Sequence, residues 1–115
     1  MNDKYKLEKL SQYFAGDKNQ FKEMIGLFLE TVPPDIAILG KLAKQDKWNE
    51  ILEVTHRIKP SLDVFEMNEI IIEINKIEHI AREKNLDGNL NSCIRILSEN
   101  FNKISTSLNN ELQKL

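Results

Sequence analysis

The stretch "EVTHRIK" places a carboxylate, an imidazole and an ammonium on one part of a helix surface: Glu53 lies one turn before His56, and Lys59 one turn after it. An imidazole with one unprotonated ring nitrogen is a nucleophile near neutral pH, because its unperturbed pKa is about 6.5. A nearby ammonium stabilises the negative charge of a phosphoryl group placed on that nitrogen. The bland alternative is a solvated surface histidine, which is what a lone histidine on a helix usually is. "EVTH" also has the Glu-x-x-His spacing of di-iron helical bundles, but those need a second such pair and two further inward glutamates. Lys76 stands at the matching place before His79, so no metal is expected. No G-x-x-x-x-G-K-[ST] loop is present, which argues against binding ATP through a P-loop.

An outward histidine needs a helix whose opposite face is buried. Trp48, Ile51, Thr55, Ile58, Leu62 and Phe65 recur at spacings of three and four, which predicts such a face. At about 100° per residue His56 points about 160° away from Ile58. Asp46 is expected to start this helix. Before it, a short helix with Leu7, Leu10, Tyr13 and Phe14 on its apolar side stops at Ala15-Gly16, and Asp17 caps the next. That second helix carries Phe21, Met24, Ile25, Phe28 and Leu29, is expected to kink or break at Pro33-Pro34, and continues through Ile36, Leu39, Leu42 and Ala43. Asn68 is the expected cap of a fourth helix with Ile70, Ile71, Ile74, Ile77 and Ala81 inside, ended by "NLDGN" at 85–89. Leu90, Ile94, Leu97, Phe101, Ile104 and Leu108 form the seam of a last helix over roughly 90–113. With four glycines, three prolines and no hairpin signal, the chain reads as all-α: an up-and-down antiparallel four-helix bundle with a short additional N-terminal helix.

Size and charge narrow the function. A chain of 115 residues suits one domain over 1–115 that buries roughly two thirds of its unfolded surface. The 16 basic and 18 acidic residues leave a net charge of -2 with both signs scattered, whereas a nucleic-acid partner calls for a basic patch. Cys93 is the single cysteine, so no disulfide framework within the chain is expected. The start "MNDKYKLEKL" is charged and no stretch approaches a membrane span. The expectation is a soluble, cytoplasmic monomer without membrane insertion.

"THRIKPS", followed by an apolar helix and "IEHIAR" at 77–82, resembles the histidine-containing phosphotransfer (HPt) domain of multistep two-component signalling. "YFAGDKNQFKEMIGLFLETVPP" and "LAKQDKW" are similar to that family's earlier helix and turn. The family's motif is a histidine, then a hydrophobic residue, lysine, glycine and a small residue; here those places hold His56, Ile58, Lys59, Pro60 and Ser61. Its downstream acidic or amide residue and later basic residue match Glu78 and Arg82.

The resemblance implies a phosphocarrier rather than an autonomous kinase. His56 would take a phosphoryl group from one receiver-domain aspartate and pass it to another, with Lys59 and Arg82 as basic groups beside it. Glu78 would accept a hydrogen bond from the other ring nitrogen and fix the tautomer, or else form a surface pair with Arg82 at i, i+4. Leu52 and Pro60, one turn either side of His56, would form an apolar docking rim, and Ser61 would bond locally to backbone. The implied partners are response-regulator receiver domains or a hybrid sensor histidine kinase. No cofactor is implied on this chain, since Mg²⁺ belongs to the receiver.

Two places depart from the family pattern, Pro60 and Glu66, where glycines are usual. Proline is compact, lacks a backbone donor and crowds the carbonyl of His56. It either keeps the family's clearance while bending the helix or ends one helix at Lys59 and starts another. Glu66 leaves the geometry of the turn at 65–68 open. Pro60 also favours the competing class of function, a helical protein-interaction module that works without phosphorylation.

Overall fold

The computed structural model describes residues 5–85 and 89–115, which form five helices and no strand. They are α1 (Glu8–Tyr13), α2 (Lys18–Lys44), α3 (Trp48–Val64), α4 (Asn68–Glu83) and α5 (Leu90–Lys114). α3 packs on α2 and α4, and α5 packs on α4 and α2, so chain neighbours are spatial neighbours around the bundle. Short turns of this kind force an up-and-down course. The predicted periodic residues fill the centre: Ile25, Leu39, Ile51, Leu62, Ile74, Leu97 and Leu108 are fully buried. Phe28 lies between Phe65 and Phe101, at ring-centroid distances of 4.3 and 5.9 Å. No helix among the described residues is long and apolar enough to cross a membrane.

Asp17 caps α2 as expected, its carboxylate accepting from the Gln20 amide at 3.1 Å. The expected break at Pro33-Pro34 is absent, since α2 runs on through both. A proline inside a helix costs about 3 kcal/mol. Val32, Ile36, Leu39 and Ala43, all buried, continue the stripe begun by Ile25 and Phe28, and burying them returns about 1.5 kcal/mol or more for each large side chain. α3 is likewise unbroken across Pro60, so a new helix does not begin there.

Three helices end alike. At α2 the amides of Asp46 and Lys47 bond back to the carbonyls of Ala43 and Leu42; at α3 those of Glu66 and Met67 bond to Asp63 and Leu62; at α4 those of Lys84 and Asn85 bond to Ala81 and Ile80. Each is a Schellman closure, with a left-handed residue at Asp46, Glu66 and Lys84, φ 52°, 52° and 50°. This corrects two expected helix starts. Asp46 closes α2 rather than opening α3, and Asn68 is the first residue of α4 rather than its cap. Met67 holds the cap position without a side-chain bond, because its side chain is needed in the core and its amide closes α3. Residues 86–88 of the expected "NLDGN" stop lie outside the described residues, and α4 has already ended at Glu83.

The N-terminal segment straps one end of the bundle. The Lys6 amide donates to the Phe65 carbonyl at 2.9 Å, and the buried Tyr5 hydroxyl meets the Ser107 hydroxyl at 3.2 Å. Leu10 follows it into the core, whereas Tyr13, expected inside, is 81% exposed. A six-residue helix presents too little face to bury both. Burial, opposed by the Ser107 hydrogen bond and reinforced by Glu111, raises the Tyr5 pKa above its ordinary 10.0. A folded-state pKa above the unfolded one confers stability that is fully present below pH 10.0 and is lost as the pH rises through the raised value. Thermal melts between neutral and strongly alkaline pH should therefore fall more steeply for the wild type than for Tyr5→Phe above pH 10. Superimposable profiles would show that ionising this hydroxyl costs the fold nothing.

Candidate functional site

Val54, Thr55 and Ile58 are buried on α3, and this inward face fixes where its other residues point. Thr55 satisfies its hydroxyl locally by donating to the Leu52 carbonyl at 3.1 Å. His56 is exposed on the opposite face and has no hydrogen-bond partner among the described residues. Its sequence neighbours diverge to the two adjacent helices. Arg57 reaches α2, where its Nη2 and Nε donate to the two oxygens of Asp35 at 2.8 and 3.3 Å. Those hydrogen bonds, and then the charge of Asp35, hold the guanidinium pKa above its ordinary value. Lys59 reaches α4, where its Nζ lies 2.7 Å from Oε1 and 2.8 Å from Oε2 of Glu78.

Glu78 is therefore neither a surface charge nor a partner of the histidine. It is buried at 8% exposure, and burying a carboxylate requires a cation or several donors. Lys59 supplies the cation. Its hydrogen bond goes to Oε2, while Oε1, though near the same nitrogen, receives no well-directed donor among the described residues. Arg82 stands by at 3.7 Å from Oε2, too far for a hydrogen bond, with its side chain 64% exposed. So Lys59, Glu78 and Arg82 form one cluster beside α3, and the bond from His56 to Glu78 implied by the resemblance is not made. Asp35 and its grip on Arg57 were not foreseen; the two lie 22 residues apart, and only the adjacency of Arg57 to His56 hints at interest.

The expected docking residues separate. Leu52 is half-buried and packs against the core. Pro60 and Ser61, with Val64, line an open groove completed by Leu27, Phe28 and Thr31 of α2. Leu27 is 54% exposed and Val64 36%, so the groove has an apolar lip, and its Pro60 end lies one turn along α3 from His56. Ser61 accepts through its carbonyl from the Phe65 amide. His79 sits apart, in a shallow depression with Ile72, Lys76, Ile80 and Cys93. Among the described residues no group of three metal-ligating side chains converges.

The family model of the Hpt domain matches residues 23–115. The chain belongs to the Hpt family. Hpt domains are helical bundles that serve phosphotransfer in two-component signalling, and the matched span takes in α3 and α4 whole, with His56 in the middle of the first. α1 and the first turn of α2 precede it. Comparisons with curated proteins and with solved structures gave no match. In this Hpt domain the family's glycine-to-proline departure at 60 leaves α3 continuous, and Glu66 adopts the left-handed conformation that glycine provides most easily.

Proposed function

We propose that this Hpt domain relays phosphoryl groups between receiver domains through His56. The unprotonated ring nitrogen attacks the phosphorus of an aspartyl phosphate. An N–P bond forms, the P–O bond to aspartate breaks with its electron pair going to the carboxylate, and the other ring nitrogen keeps its proton or releases it to water. The reverse step loads the next aspartate. Mg²⁺ resides on the receiver, and this chain works as a cytoplasmic monomeric carrier without a cofactor of its own. What supports the reading is the exposure of His56, without a hydrogen-bond partner among the described residues, on the outer face of α3 in an Hpt bundle. The test is incubation with a phosphorylated receiver, followed by assay for an acid-labile, base-stable label on the chain.

One observation favours the alternative, a phosphorylation-independent interaction module: Lys59 is engaged by Glu78 rather than free beside His56. A chain that binds receivers but never takes label would establish it.

The groove beside Pro60 offers the receiver an apolar seat, and the small ring leaves clearance next to His56. Pro60→Trp is expected to slow transfer from a phosphorylated receiver by roughly tenfold, the effect of losing about 1.4 kcal/mol of docking, while labelling by a small donor such as phosphoramidate stays near the wild-type rate. Equal slowing with both donors would instead place the effect on the reactivity of the imidazole.

A further inference from the structure

The two cations nearest His56 in sequence are both held by carboxylates of neighbouring helices, Arg57 by Asp35 and Lys59 by Glu78. The second hold is the tighter problem, because Glu78 is buried and Asp35 lies at a more open flank, with side-chain exposures of 10% and 20%. A phosphoryl group on His56 brings a second anion within reach of Lys59. If the ammonium turned toward it, Glu78 would be left as an unpaired buried charge, which is strongly unfavourable. A replacement stands one helical turn along α4. Arg82 is close enough to Oε2 to be attracted and too far to be bonded, its side chain is largely exposed, and Oε1, though 2.7 Å from the Lys59 nitrogen, has no well-directed donor among the described residues.

We propose that Glu78 restrains Lys59 in the resting domain and that Arg82 replaces Lys59 on Glu78 when His56 carries a phosphoryl group, so that this exchange of cations sets how far transfer runs toward the phosphohistidine. Glu78 and Arg82 are then positioning residues acting through Lys59, and Arg82 does not touch the phosphoryl group. The inference rests on His56 being the carrier.

The experiment reads the equilibrium distribution of label between a phosphorylated receiver and the chain. Glu78→Gln frees Lys59 from its competing anion and should move the distribution toward phosphohistidine by roughly tenfold, the scale of one charge-assisted contact. Arg82→Ala removes the replacement cation and should move it the opposite way by a few-fold, with Arg82→Lys restoring it. In a Glu78→Gln background Arg82→Ala should do nothing further, since its route is gone. An arginine that binds the phosphoryl group directly would keep its full effect in that background, and this result overturns the proposal. So does a Glu78→Gln distribution that moves toward the receiver, as a merely structural loss would produce. Should Glu78→Gln fail to fold, the opposed effects of Arg82→Ala and Arg82→Lys decide it, because an unchanged distribution in Arg82→Ala contradicts the exchange. A wild-type chain that takes no label sinks the reading of His56 first, which distinguishes the two failures.

Discussion

His56→Gln is expected to abolish acid-labile labelling by a phosphorylated receiver while leaving the bundle folded. Glutamine offers an amide of similar reach but no nucleophilic ring nitrogen, so no N–P bond forms at position 56. The side chain is exposed and without a hydrogen-bond partner among the described residues, and such a substitution typically changes stability by under about 0.5 kcal/mol. The only other imidazole, His79, is also exposed, but it lies in the α4 depression away from the groove at Pro60. Arg82 follows it by one turn, yet that guanidinium lies toward Glu78. Mass spectrometry of the intact chain and of its peptides checks the outcome. Label retained by His56→Gln at the wild-type rate would transfer the role to another residue.

Lys59→Ala is expected to act twice. With the ammonium gone, the negative charge arriving on His56 loses a stabilising contact of about 1.4 to 3 kcal/mol, which slows transfer or shortens the phosphohistidine lifetime by roughly ten- to a hundredfold. At the same time the buried Glu78 keeps only the distant Arg82. Removing one partner of a fully buried pair costs about 3–5 kcal/mol; because Lys59 is 32% exposed, about 1–3 kcal/mol is the more fitting scale here. The double variant Lys59→Ala/Glu78→Gln separates the two effects, since it should recover stability in denaturant melts without recovering transfer. Recovery of both would make Lys59 a structural counterion with no share in the chemistry.

The pattern of buried positions was legible because helix periodicity lies in the local spacing of apolar residues: the seams of α3, α4 and α5 reappear in the core nearly residue for residue. What escaped depended on partners distant in sequence. Nothing local announces that Asp35 receives Arg57, or that Glu78 is buried against Lys59 while keeping only a longer contact with Arg82 at i, i+4. Tyr5 and Met67 went unremarked as core residues because neither lies inside a periodic stretch; each is a turn or strap residue drawn in by its surroundings. Asp46 and Asn68 misled for a related reason. Their side chains suit helix starts, but the backbone amides of those turns were already committed to closing the helix before. The placement of His56 outside was within reach of a helical wheel, whereas the occupation of Lys59 was not.

Glu66 gives the bundle a kind of tolerance to drift. Holding a non-glycine residue in the left-handed region costs about 1–2 kcal/mol, and the neighbouring contacts carry it: Met67 and Leu62 are completely buried on either side of the closure. Glycine at this turn is thus a matter of margin, and a side chain without a branch at Cβ is held there by the hydrophobic clasp around it. A non-glycine residue therefore closes this turn without moving the helix that presents His56. The lock on this turn is the buried pair of Leu62 and Met67, not the residue between them that takes the strained conformation.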